Sequence, residues 1–68
     1  MDVHIGQSVR TMNAVTIQVD FHFIHIEPGT IGDVIEVEGS YPPRAHVRFK
    51  VNGEEPKEWI NSDELLPA

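Results

Sequence analysis

The sequence contains no cysteine, which excludes a disulfide framework, a thiolate metal site and a cysteine nucleophile together. It is also poor in cations. Five Lys and Arg stand against eleven Asp and Glu, a net charge of -6 at pH 7. A field of that sign repels phosphate backbones and anionic lipid, so nucleic acid and membrane surfaces are disfavoured partners, and a basic protein surface is a permitted one. No apolar run approaches the roughly 18 residues of a membrane span. No helical period persists over the ~10 residues a helix would need. The opening Met1-Asp2-Val3-His4 has neither the basic nor the apolar stretch of a secretory leader. These absences lead to the expectation of a cytoplasmic protein. The chain of 68 residues leaves room for one domain, residues 1–68, which would bury only about 60% of the surface its unfolded form exposes.

What the chain does have is alternation. Ala45, Val47, Phe49 and Val51 alternate with Arg44, His46, Arg48 and Lys50 and run into Asn52-Gly53. Period two with β-branched and aromatic residues marks a half-buried strand, and Asn-Gly after it marks a tight type I′ hairpin turn. The return arm holds Glu58-Trp59-Ile60. Upstream, Ile5-Gly6-Gln7-Ser8-Val9-Arg10 reads as a first short strand entered through a glycine turn. Val15, Ile17, Val19, Phe21 and Phe23 then share one face, with Thr16, Gln18, Asp20 and His22 on the other. At Phe23-Ile24 the phase slips by one, which a β-bulge or sharp bend would absorb. This stretch, Thr11 to Glu27, is long enough to form a ribbon of its own. After the Pro28-Gly29 turn, Thr30 to Glu38 is strand-like with Ile31, Ile35 and Val37 in phase and Gly32 at a bend. Gly39 to Pro43 is a loop, and Asn61-Ser62-Asp63-Glu64 is one helical turn, capped by Asn61 or Ser62, before a last strand at Leu65-Leu66.

The resulting order is five short strands, a long first loop, a proline-rich second loop, a tight hairpin and a single helical turn before the final strand. That is the order of an all-β, SH3-like barrel, and closing the sheet on itself would remove most exposed strand edges. The runs "GQSVR", "PGTIGDVIEV", "YPPRAHVRFKVNG" and "NSDELLP" resemble the small SH3-like barrel subunits of redox complexes, the E subunit of photosystem I and the variable chain of ferredoxin–thioredoxin reductase. The resemblance covers turn and core positions over most of the chain. It implies the fold, and with it an accessory subunit that does no chemistry. The photosystem subunit docks an acidic partner through basic residues, to which a charge of -6 is ill suited, so no functional residue is carried over.

Each candidate for chemistry has a simpler reading. His22 and His25 with Asp20 and Glu27 could gather on one polar face if the bulge exists, and imidazole with carboxylate suits zinc or nickel. Their spacing matches no metal motif, and the expectation is no metal and no cofactor. Ser8, Ser40 and Ser62 sit at turns or caps, and Gly29-Thr30-Ile31-Gly32 lacks the following helix that a phosphate loop requires. An oligomeric small-barrel enzyme is thus an alternative only, and no catalytic residue is assigned. The cationic cluster Arg44, His46, Arg48 and Lys50 could contact nucleic acid, as KOW-type and Tudor-type barrels do. The neighbouring strand carries Asp33, Glu36 and Glu38, however, and cross-strand pairing accounts for the cluster more simply. Trp59 with Tyr41 reads first as a lid on the core and second as an interface anchor. The function expected is binding to another protein with a basic surface, with Asp20, His22, His25, Glu27, Tyr41 and Trp59 as the contact residues. The competing reading of Thr11 to Glu27 is that Phe21 and Phe23 serve the core.

Overall fold

Seven strands and one short turn of 3-10 helix follow each other in the structure, a computed structural model that describes residues 2–68. They are β1 (Ser8–Thr11), β2 (Val15–Val19), β3 (His22–Ile26), β4 (Ile31–Glu38), β5 (Arg44–Phe49), β6 (Lys57–Asn61), the 3-10 turn (Ser62–Glu64) and β7 (Leu65–Pro67). The fold is all-β. Five strands form one antiparallel sheet in the order β6-β5-β4-β1-β7, and β2 and β3 pair only with each other. No helix among the described residues is long and apolar enough to cross a membrane.

The β5 alternation holds along its length. Ala45, Val47 and Phe49 are fully buried, while Arg44, His46 and Arg48 lie on the outer face, half-buried. Beyond them Val51 and Glu54 exchange two backbone hydrogen bonds of 2.9 Å, and Asn52 and Gly53 both take positive φ, 50° and 81°. That is the geometry of a type I′ turn. The helical turn falls at Ser62–Glu64, where Asn61 precedes it in extended conformation without a side-chain cap bond. Closing the chain, β7 pairs with β1.

β4 departs from the expected phase. Gly32 and Val34 point inward, and Ile31 is exposed. The sheet register explains this, because Gly32 lies between Val9 of β1 and Phe49 of β5, both fully buried. A Cβ on Gly32 would sit 2.6 Å from Val47 Cγ1 and 2.9 Å from Phe49 Cδ1. The glycine is there to admit core side chains rather than to bend the strand. The irregularity comes three residues later: the pairing with β5 shifts between Val34 and Glu36, leaving Ile35 unmatched and returning Val37 to the inner side.

The segment between β1 and β4 is indeed a ribbon, but its inner face differs from the expected one. The chain reverses at Asp20-Phe21, where Asp20 has φ 51°, and Val19 pairs with His22, Ile17 with Ile24 and Val15 with Ile26. There is no bulge at Phe23-Ile24. The apparent slip arises because two residues are spent turning, so Ile17, Ile24 and Ile26 enter the core while Phe21 and Phe23 stay outside. The core therefore lies between the ribbon and the five-stranded sheet, joining those three isoleucines to Val9, Val34, Ala45, Val47, Phe49, Ile60 and Leu65. The base of the ribbon is stitched down at buried Thr11, whose hydroxyl donates to the Glu27 carbonyl (3.1 Å) and whose own carbonyl accepts from Gly29 (2.7 Å).

Candidate interaction surfaces

The tip of the ribbon is the first candidate. Phe21, at the second turn position, is fully exposed, and Phe23, on the outer face, is 69% exposed. Asp20 stands beside them. His22 and His25 fall on opposite faces of β3, because neighbouring residues of a strand alternate. The structure therefore does not gather them. His22 Nε2 instead reaches across to the β5–β6 turn, 3.1 Å from Glu54 Oε1 and 3.4 Å from Oε2, while His25 Nε2 lies 3.3 Å from Glu27. Among the described residues no group of three or more His, Asp or Glu is placed to hold a metal ion.

The outer face of the five-stranded sheet is the second. Register alone sets Asp33 opposite Arg48, Glu36 opposite His46 and Glu38 opposite Arg44. The side chains follow: Arg44 binds the Glu38 carboxylate through two nitrogens at 3.0 Å each, His46 Nδ1 is 4.0 Å from Glu36, and Arg48 lies between Asp33 (3.6 Å) and Glu55 (3.8 Å). The bonds from Arg44 hold the Glu38 carboxyl below its ordinary pKa, and the same bonds raise that of Arg44. Cross-strand pairing thus accounts for Arg44, His46 and Arg48 of the cationic cluster, as their neighbours in sequence suggested, while Lys50 lies exposed beyond the end of β5. Trp59 completes the face. Its ring stacks on His46, centroids 4.6 Å apart and planes 7° from parallel, with the Arg44 guanidinium 5.3 Å from its centroid. It belongs to the outer surface and is no lid on the core, because the β5–β6 register pairs it with outward His46 rather than with an inward residue.

Tyr41 is fully exposed in the loop after β4. That loop precedes β5, whereas the ribbon tip meets Glu54 beyond the far end of the same strand, so Tyr41 and the tip lie at opposite ends of the sheet. The six residues singled out in the sequence consequently divide three ways: Asp20, His22, His25 and Glu27 on the ribbon, Trp59 on the ion-paired face, Tyr41 in its loop. Phe21 and Phe23 were the residues missed as contact candidates. The signal for them was present, since an Asp-led dipeptide between two five-residue alternating runs is turn chemistry.

The third feature is a cleft of about 240 Å³ between β6 and the base of the ribbon, lined by Thr11, Asn13, Ala14, Val15, Glu58, Trp59, Ile60 and Glu64. It is smaller than the ~300 Å³ at which small-molecule sites begin. Among the described residues no serine or threonine hydroxyl is bonded to a histidine; those of Thr11, Thr30 and Ser40 donate to backbone carbonyls. No family model matches this chain, and no curated protein or solved structure matches it either.

Proposed function

We propose that the chain is a non-catalytic interaction module, a small SH3-like barrel acting as an accessory or adaptor subunit in the cytoplasm, which docks onto a basic protein surface through the tip of its ribbon. One observation carries this reading: Phe21 and Phe23 stand in solvent on a ribbon whose other face is locked into the core by Ile17, Ile24 and Ile26. Rigidly presented aromatic side chains make good interface anchors, because little conformational freedom is lost when they are covered. Charge supports the choice of partner. The two arginines of β5 are committed to Glu38, Asp33 and Glu55, and Asp20 beside the phenylalanines is exposed acid without such a partner in the sheet. The strand order β6-β5-β4-β1-β7, with the ribbon laid over the core, is what a barrel of this kind would need.

The experiment is site-specific photo-crosslinking in the cell from which the protein comes. A photoreactive phenylalanine analogue at position 21 should trap a discrete protein of basic character, and the same analogue at position 46, on the ion-paired face, should not. Equal trapping at both positions, or none at 21, would refute docking through the tip. Retention on heparin at moderate salt would move the assignment to nucleic acid, because only a surface able to neutralise phosphates behaves so.

A further inference from the structure

Strand β6 is an edge of the sheet, and the phase of its hydrogen bonds shows which groups it leaves unused. Phe49 donates to the Pro56 carbonyl (2.9 Å) and Ser62 to the Pro43 carbonyl (2.8 Å). Antiparallel bonds recur at every second residue, so Glu58 and Ile60 face β5. The amides of Lys57, Trp59 and Asn61 and the carbonyls of Lys57 and Trp59 face away from it, the Asn61 carbonyl being taken by the 3-10 turn that follows. The Trp59 amide bears this out, since it donates sideways to the carboxylate of Glu58, 3.0 Å to Oε1. Facing that edge is the ribbon. Its base at Val15 borders the cleft beside Glu58, Trp59 and Ile60, and its tip at His22 touches Glu54, so it runs along β6 without pairing with it.

We infer that this cleft binds an extended, basic peptide segment of a partner protein, added as a further strand on β6. Three observations converge. The edge offers main-chain donors and acceptors at alternate residues, which is what strand addition uses. The cleft walls carry Ala14, Val15 and Ile60 for an apolar side chain, and Glu58 and Glu64 for cations on either side of it. Access is guarded only by the Glu58 carboxylate over the Trp59 amide, a side chain that a lysine or arginine of the incoming strand would draw away, as charged side chains commonly protect edges. A second copy of this chain is the wrong occupant. Its own β6 would bring Glu58 and Glu64 against their counterparts, between two molecules each of charge -6.

The probe is an acetylated, amidated heptapeptide alternating lysine and valine, with its glutamate–valine counterpart as control, titrated into amide-labelled protein. The lysine peptide should shift the amides of Asn13, Ala14, Val15, Trp59 and Asn61, and the glutamate peptide should leave them in place. Asn61→Pro removes one outward amide at a residue whose φ of -63° already suits proline, and should weaken binding about three- to tenfold, the worth of one hydrogen bond. A Glu58→Lys/Glu64→Lys double variant should exchange the preference of the two peptides, and a Phe21→Ser/Phe23→Ser variant should bind the lysine peptide as the parent does, which separates this site from the ribbon tip. The inference fails if the lysine peptide shifts no cleft amide, if the double variant keeps the parent's preference, if the tip variant loses the peptide, or if the protein alone is a dimer protected along β6.

Discussion

Three phenylalanines with the same side chain occupy three different places here, and their consequences differ accordingly. Phe49 is fully enclosed between β4 and the rest of the core, so Phe49→Ala should cost about 3–5 kcal/mol by chemical denaturation, enough to unfold most of a population this small. Phe21, fully exposed, should tolerate alanine within roughly 0.5 kcal/mol. A Phe21→Ala loss as large as that of Phe49 would mean the ribbon's faces are reversed. Gly32 shows the same core from the other side. Its missing side chain is occupied by Val47 and Phe49, with the Arg48 carbonyl at 3.0 Å from where a Cβ would stand, so Gly32→Ala should lower stability by about 1–3 kcal/mol, as overpacking does. An unchanged denaturation midpoint would show that the neighbouring side chains can yield. At Glu38 the bonds from Arg44 favour the ionised carboxylate, so its folded pKa lies below the unfolded one. The sign follows: the pair stabilises above the unfolded pKa and loses its effect as pH falls through the folded pKa. Both groups are solvent-exposed, so the readout is the titration itself. Carboxyl NMR should place Glu38 below the ordinary glutamate range, and Arg44→Gln should return it there.

Among the elements, the β5–β6 hairpin was fully legible because alternation and Asn52-Gly53 specify the same register independently. Nothing stands within 4 Å of a Cβ at Gly53, so Gly53→Val tests the turn conformation alone: it should cost about 1–2 kcal/mol by thermal or chemical unfolding through positive φ, and a smaller effect would contradict the type I′ turn. The succession along the chain of the five sheet strands and the helical turn before β7 was legible from turn residues between short apolar runs, though their pairing beyond the hairpin was not. The ribbon was only half legible. Period two gives which residues share a face, yet it gives no sign of where a strand stops when the turn is as short as Asp20-Phe21 and one of the turn residues is itself apolar. Counting Phe21 as part of the strand carried Phe23 inward with it and left Ile24 and Ile26 needing a bulge. β4 failed more mildly, because the unmatched Ile35 and a buried glycine together make three spaced isoleucine and valine positions look like one face. Trp59 could have been placed by the same register, since a two-residue turn at Asn52-Gly53 sets it opposite outward His46; its bulk and its neighbour Ile60 pointed instead to a lid on the core.

For the molecule as a whole, the two sides of the sheet divide the labour. The inner side is apolar and shared with the ribbon, while on the outer side Arg44, His46 and Arg48 of β5 each face an acid across the ladder. Net acid is therefore exported to the ribbon tip, the β5–β6 turn and the cleft. Association driven by such exposed charge should weaken as salt rises, since screening acts over about 10 Å at 0.1 M. The apolar anchors should not respond to salt. If the ribbon's inner face serves folding and its tip serves binding, the Phe21→Ser/Phe23→Ser variant separates the two. Its melting midpoint and its retention of the crosslinked partner should be measured on the same preparation. The midpoint should stay within about 2 °C of the parent, the scale of a surface substitution, while the partner is lost. A folded variant that still retained the partner would remove the tip from binding, and a variant that unfolded would return Phe21 and Phe23 to the core.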